Sequence, residues 1–309
     1  MRKIFTILFL SVLCIPGTRV FGQQDPQYSQ YMFSKLATNP GYAGNNDAIC
    51  GTLVYRNQWT GFGDEPKTAL FSFDMPMKAL HGGIGLNVTA QDKLGFEKDM
   101  YANLAYAYRT NLGAGKIGIG AGLGYAQKGI DGTKFIYYQA NDPNIPITNV
   151  SGGTFDLALG AYYQADNLYV GLSSTHLIEG EIKYDKVVTT LARHYYLTAG
   201  YNYDLTPDLV LKPSVLVKSD GATQQFDINA NVMIKNRFWG GLGYRLQDAI
   251  VIMAGIEIIP NLKFGYSYDL TTSDIKTYSS GTHEIMLGYC FKPVAKPPKR
   301  QFHRNVRFL

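Results

Sequence analysis

Five histidines, three cysteines and one run of hydroxyls are the residues of this 309-residue chain best suited to chemistry. His81, His176, His194, His283 and His303 are scattered, with no HExxH-like pattern, and Cys14, Cys50 and Cys290 make no CxxC pair. Metal sites readable from sequence need such spacings, because they place two ligands on one helix face or one turn. No metal and no cofactor is therefore expected, and the histidines read as loop and surface residues. Ser173-Ser174-Thr175-His176 is the one stretch that sets a nucleophile beside a base. Nucleophilic catalysis also needs a third group to orient the base; none is identifiable, and no catalytic residue is assigned. Gly118, Gly120, Gly122 and Gly124 recur at every second position without the Lys-Ser/Thr of a phosphate-binding loop, which makes them strand residues.

The elements that carry these residues are strands. From Asn261 to Leu270, Leu262, Phe264, Tyr266, Tyr268 and Leu270 alternate with Lys263, Gly265, Ser267 and Asp269. Strict period-two alternation makes one face apolar and the other polar. The same pattern defines about fourteen strands: 48–58, 67–77, 82–92, 97–109, 115–128, 151–165, 167–176, 193–204, 208–218, 223–234, 236–246, 248–258, 261–270 and 282–291. In 223–234, Phe226, Ile228, Ala230, Val232 and Ile234 share one face, and Gln225, Asp227, Asn229 and Asn231 the other. A length of about ten residues suits a tilted strand crossing hydrocarbon.

The connections are sorted by length. Short ones fall at Lys78 to His81, Thr110 to Ala114, Asp166, Thr206-Pro207, Lys235 and Pro260. Long ones fall at Thr60 to Pro66, Gly129 to Val150, Leu177 to Leu191 and Thr271 to Gly281, always on the opposite side. Short turns at one end and long loops at the other mark an outer-membrane barrel with periplasmic termini. The expected fold is an all-β, transmembrane, antiparallel β-barrel closing at residues 48–291. A soluble β-sandwich is the alternative, but it has no reason to sort its loops.

Composition agrees. Charged residues make up 17% and aromatics 13%, with 23 Tyr and 33 Gly. Residues 1–22 read as a signal peptide, with Arg2 and Lys3 before an apolar core and Val20-Phe21-Gly22 before Gln23. Leu13 is too large for a lipobox at Cys14, so no lipidation is expected there. No later stretch has the roughly 20 apolar residues of a membrane helix. The net charge of +5 is unevenly placed. The tail 292–309 carries Lys292, Lys296, Lys299, Arg300, Arg304 and Arg307 and no acid, whereas the body is mildly acidic. That tail suits an acidic protein partner or lipid headgroups, and a periplasmic address argues against nucleic acid.

Residues 23–47 form a lead-in without alternation, rich in Tyr28, Tyr31, Phe33 and Tyr42 and broken by Asn39-Pro40. Helical turns are expected around Tyr28, Tyr31 and Met32. An aromatic segment of this kind needs burial. One expectation is that Tyr28, Tyr31, Phe33 and Tyr42 enter the barrel from the periplasmic side and pack over the Gly118 to Gly124 stripe; the other is that the same residues dock a periplasmic partner. The glycines themselves either admit another backbone or relieve crowding on a curved wall.

Cys50 and Cys290 stand near the start of the first strand and the finish of the last. Those ends are neighbours in an even-stranded closed barrel, and the parity of both cysteines points to the lumen. An oxidising periplasm allows a disulfide across the seam; two unpaired small residues are the other reading.

Four blocks then resemble a known family. Asp25-Pro26-Gln27-Tyr28-Ser29-Gln30-Tyr31-Met32-Phe33, Asn39-Pro40-Gly41-Tyr42-Ala43-Gly44, Arg56-Asn57-Gln58-Trp59 and Ser72-Phe73-Asp74-Met75-Pro76 resemble the blocks of the PorP/SprF family, in family order. The match is specific over residues 24–77. The resemblance implies a non-enzymatic outer-membrane component of the type IX secretion system. It implies help in exporting or attaching adhesin-like surface cargo, in some members linked to gliding motility. The implied partners are outer-membrane lipid, other components of that machinery and a secreted surface protein. A passive porin is the alternative.

Overall fold

The computed structural model describes residues 25–135, 146–184 and 187–292. The expected signal peptide and the tail basics Lys296, Lys299, Arg300, Arg304 and Arg307 lie outside the described residues.

Seventeen strands are present among them. In order these are β1 (Ile49–Asn57), β2 (Lys67–Met77), β3 (Gly82–Lys93), β4 (Glu97–Leu112), β5 (Gly115–Asp131), β6 (Asn149–Gln164), β7 (Leu168–Thr175), β8 (Glu181–Tyr184) and β9 (Val187–Thr190). They continue as β10 (His194–Tyr201), β11 (Tyr203–Thr206), β12 (Leu209–Ser219), β13 (Gln224–Ile234), β14 (Phe238–Arg245), β15 (Ala249–Ile259), β16 (Leu262–Thr271) and β17 (Thr282–Phe291). β8 and β9 form a separate hairpin, and β11 continues the line of β10 against β12. The rest make a closed fourteen-strand antiparallel barrel: β10 pairs with both β7 and β12, and β1 pairs with β17. Closure leaves no sheet edge for hydrocarbon to strand without hydrogen bonds.

Alternation sorts the faces as expected. Leu104, Ile119, Leu172 and Leu242 are each about 60% exposed on the outer wall, and Asp227, Asn229 and Asn231 are buried on the inner one. Exposed Tyr106, Tyr108, Tyr201, Phe238, Tyr289 and Phe291 ring the short-turn end, and Tyr55, Tyr195 and Tyr244 stand toward the other. Aromatic girdles at both rims belong to membrane barrels.

Three details differ from expectation. β4, β5 and β6 run to 16 or 17 residues, longer than a membrane crossing requires, because they rise past the rim to meet the β8–β9 hairpin. That hairpin, inside the long loop after β7, packs Ile182 and Tyr184 against Ala126 and Leu191. The lead-in forms three 3-10 turns, Tyr31–Phe33, Lys35–Ala37 and Pro40–Tyr42, in place of α-helical turns. Asn39 caps the last by accepting from the Gly41 N–H at 2.8 Å.

Candidate functional site: a lead-in held inside the barrel

The lead-in lies in the lumen and runs its length. Asp25 sits at the long-loop end, beside His176 after β7 and His194 at the start of β10. Gly44 reaches β2 and β3 at the short-turn end, donating its N–H to Asp74 at 3.0 Å. The barrel's own ends, Ile49 and Phe291, face each other at that same end. The first described residue therefore stands at the opposite end of the lumen from the start of β1.

One fastening is a buried ionic cluster around Ser29. Arg56 of β1 contacts Asp269 of β16 at 2.8 Å and Glu284 of β17 at 3.1 Å. Arg245 at the end of β14 contacts the same Asp269 at 3.0 Å, Asp227 of β13 at 3.2 Å and Asp248 at 3.3 Å. On this wall two guanidiniums face four carboxylates, so the carboxylates hold spare acceptor capacity. The lead-in fills it with neutral donors. The N–H groups of Ser29 and Gln30 donate to the two oxygens of Glu284 at 2.9 and 2.8 Å, and Gln27 donates to Asp227 at 2.5 Å. The Ser29 hydroxyl donates to Asp269 and accepts from Arg56 at 2.8 Å and Arg245 at 3.1 Å. One donor and two acceptors exhaust what a hydroxyl can do.

Apolar contacts follow down the lumen. Tyr28 packs with Val54, Leu70, Met286 and Trp239. Phe33 lies 5.2 Å from the Trp239 ring, centroid to centroid. Tyr31 joins Tyr196 and Leu216 and shares a hydrogen bond with Ser214 at 3.0 Å. Lys35 carries its ammonium 3.4 Å from the centroid of Tyr169 and donates to the Tyr162 hydroxyl at 2.9 Å. A cation over an aromatic face is favourable, more so away from water.

The glycine stripe accepts backbone, but only over half its length. A Cβ on Gly120 would stand 2.5 Å from the Pro40 carbonyl carbon, and one on Gly118 would overlap the Gly41 oxygen. Asn39 and Pro40 occupy the same space above Gly160 of β6. Gly122 and Gly124 are covered by Asn103 and Tyr101 of β4 instead. Tyr28 and Phe33 pack toward β1, β2, β14 and β17 and Tyr31 against β10 and β12, so the expected packing of these rings over the stripe is corrected: proline and glycine backbone fills the groove, and the three rings lie away from it. Tyr42 stays near the stripe, edge-on to Tyr162 at 5.0 Å.

Three of the four sequence blocks thus meet as plug and receiver. Of the fourth, Arg56 belongs to the cluster, while Asn57, Gln58 and Trp59 shape the rim loop. Asn57 reaches Glu65 at 3.4 Å, the Gln58 N–H donates to the Pro66 carbonyl, and the Trp59 N–H donates to Thr282. Pro26 lines a small cavity of about 90 Å³ beneath the long loops. Cys50 and Cys290 are directly opposed across the β1–β17 seam, and their sulfurs are bonded. Lys292 is exposed just past β17.

Sequence reasoning missed two assemblies. Arg245, Asp269 and Glu284 each read only as inward polar residues; their convergence depends on strand register. The pairing of His176 and His194 with Asp25 depends on the path of the lead-in. The Ser173/His176 pair does not assemble: Ser173 donates to the Thr38 carbonyl at 2.7 Å, and both ring nitrogens of His176 face carboxylates.

Comparison with known proteins agrees with this architecture. No match is found among curated proteins. The solved CymD monoaromatic hydrocarbon channel is similar at a TM-score of 0.51 and 10% identity, over 84% of this chain and 92% of that one. The toluene transporter TbuX of Ralstonia pickettii gives a TM-score of 0.48 at 12% identity, over 84% and 94%. Omp33 of Acinetobacter baumannii gives 0.44 at 9% identity, over 79% and 98%. At 10% identity the likeness to CymD speaks for the fold alone. The family model described as type IX secretion system membrane protein PorP/SprF matches residues 20–289, which takes in the plug and nearly the whole barrel. The chain belongs to the PorP/SprF family and is an outer-membrane β-barrel of the type IX secretion system.

Proposed function

We propose that this protein is a plugged, non-catalytic docking barrel that assists export or surface attachment of an adhesin-like cargo protein, in a role that extends to gliding motility. The observation that carries this reading is the lead-in lying along the lumen, tied to the wall by the Ser29 cluster. The lead-in occupies the bore along its length and leaves a cavity of about 420 Å³ toward the short-turn end, between Lys35 and Tyr42 and the wall at Lys212 and Tyr289; a barrel obstructed by its own chain is suited to holding partners at its rims. A passive channel is the alternative that the barrel fold permits, and the lead-in lying along the lumen weighs against it.

In this reading the short-turn end, where Ile49 and Phe291 meet, faces the periplasm, as short turns do in bacterial barrels. The long loops and the β8–β9 hairpin then face outward, presenting Ile147, Ile178, Val188 and Tyr278 to a surface partner. Residues 292–309 act as a basic periplasmic arm toward an acidic neighbour, a contact screened beyond about 8 Å at physiological ionic strength.

The test is the surface proteome of a strain lacking the gene. Loss of one or a few secreted surface proteins, restored by the wild-type gene, is expected. An unchanged surface proteome with altered small-solute uptake would transfer the function to a channel.

A further inference from the structure

At the long-loop end of the lumen, three ligand-type side chains from distant parts of the chain converge. Asp25 of the lead-in, His176 and His194 each bring one ligand atom within 4.8 Å of the others. His176 Nε2 lies 2.9 Å from Asp25 Oδ1, and its Nδ1 lies 2.8 Å from Asp156 Oδ2. His194 donates Nδ1–H to the Ala192 carbonyl at 2.8 Å, which leaves the lone pair on Nε2, and Nε2 accepts the Asp25 N–H at 3.2 Å. In His176 the nitrogen turned away from the lead-in is held by Asp156, and in His194 the Nδ1–H is held by the Ala192 carbonyl, with Nδ1 also 3.9 Å from Asp25 Oδ2. That is how metal-binding imidazoles are held: a carboxylate or backbone carbonyl takes the second N–H, fixing the tautomer and aiming the other nitrogen at the ion. The carboxylate is fixed as well, since Tyr196 and Thr175 donate to Asp25 Oδ2, and Lys218 holds the Asp25 backbone by donating to its carbonyl.

We propose that Asp25, His176 and His194 form a binding site for a divalent transition ion of the zinc class, which clamps the head of the lead-in to the barrel wall. Two imidazoles and one carboxylate suit zinc, cobalt or nickel rather than calcium or magnesium, which prefer all-oxygen shells. Metal entry replaces the proton that His176 Nε2 shares with Asp25, and that proton leaves to solvent. It also displaces the Asp25 N–H from His194, with water completing the coordination. The ion then joins residues about 150 positions apart, at the end of the plug remote from β1. This site stands on the local geometry and does not depend on the secretion reading.

The experiment uses full-length protein, purified without a polyhistidine tag, stripped with chelator in detergent and titrated with cobalt(II) alone. One equivalent is expected, seen as visible d–d absorption and displaced by zinc. Asp25→Ala and His194→Ala are each expected to weaken binding by more than about 100-fold, beyond the 10- to 100-fold typical of changes to supporting groups. His283→Ala, altering a ring bonded to Tyr266 on the outer wall, leaves it unchanged. A second readout needs no variant: the wild-type melting temperature rises with zinc and not with magnesium. Absence of stoichiometric cobalt binding and of a zinc-dependent melting shift in the wild type, or undiminished binding in the Asp25→Ala/His194→Ala double variant, overturns the site.

Discussion

The hydroxyl oxygen of Ser29 lies 2.7 Å from each carboxylate oxygen of Asp269, joining the lead-in to a barrel strand 240 residues further along the chain. Two arginines share that hydroxyl, so Ser29 links both buried cations to the plug. Ser29→Ala removes one donor and two acceptors without adding bulk. A loss of about 1–3 kcal/mol is expected, the usual cost of stranding buried polar partners. Urea unfolding in detergent, followed by the fluorescence of Trp239 against Phe33, measures it. A midpoint equal to wild type would mean that the hydroxyl carries none of the fastening.

Arg56→Met tests the wall side of the same cluster. It leaves Asp269 and Glu284 buried with one cation fewer, and breaking a buried pair from one side costs about 3–5 kcal/mol. The variant is expected to be less stable than Ser29→Ala, while the double variant loses less than the sum, because the two groups are in direct contact. Strict additivity in the cycle contradicts a shared network.

Most of the wall was legible in the chain, for a physical reason. Membrane strands expose one face to hydrocarbon, so Ile228 and Leu262 had to alternate with polar neighbours such as Asp227 and Lys263. Parity placed Cys50 and Cys290 on the same face of adjacent strands without any knowledge of register. The interior was less legible. Asp227, Asp269 and Glu284 all read as inward polar residues, and only strand register says that they surround one hydroxyl. The direction of the lead-in left no local trace, so the meeting of Asp25 with His176 and His194 stayed hidden. The β8–β9 hairpin escaped notice because Glu181 to Tyr184 is too short to show periodicity.

Gly120→Leu tests the groove. The side chain would occupy the position of the Pro40 backbone and force the plug away, while the outward face of β5 stays as it is. Overpacking of this kind costs about 1–3 kcal/mol. With a cysteine introduced by Ala37→Cys, maleimide labelling of the folded barrel is expected to speed up about tenfold or more in the Gly120→Leu background. Unchanged labelling contradicts the seating of Pro40 on the stripe.

The seam disulfide has its own check. Unreduced protein is expected to be lighter than reduced protein by two hydrogens, with no thiol open to alkylation between residues 25 and 309. A cross-link closing so long a loop stabilises by up to about 5 kcal/mol in chain-entropy models. Cys50→Ser is therefore expected to lower the urea midpoint while leaving the β1–β17 pairing in place. Two free thiols in protein taken from the outer membrane contradict it.

Ion conductance through the wild-type protein in planar lipid bilayers tests the central claim most directly. A lumen obstructed by residues 25–47 predicts membranes that stay electrically silent with wild type and develop steps only when Gly120→Leu or Arg56→Met loosens the plug. Steady single-channel conductance from the unmodified protein, at the level of an open fourteen-strand pore, would contradict the account of a plugged docking barrel.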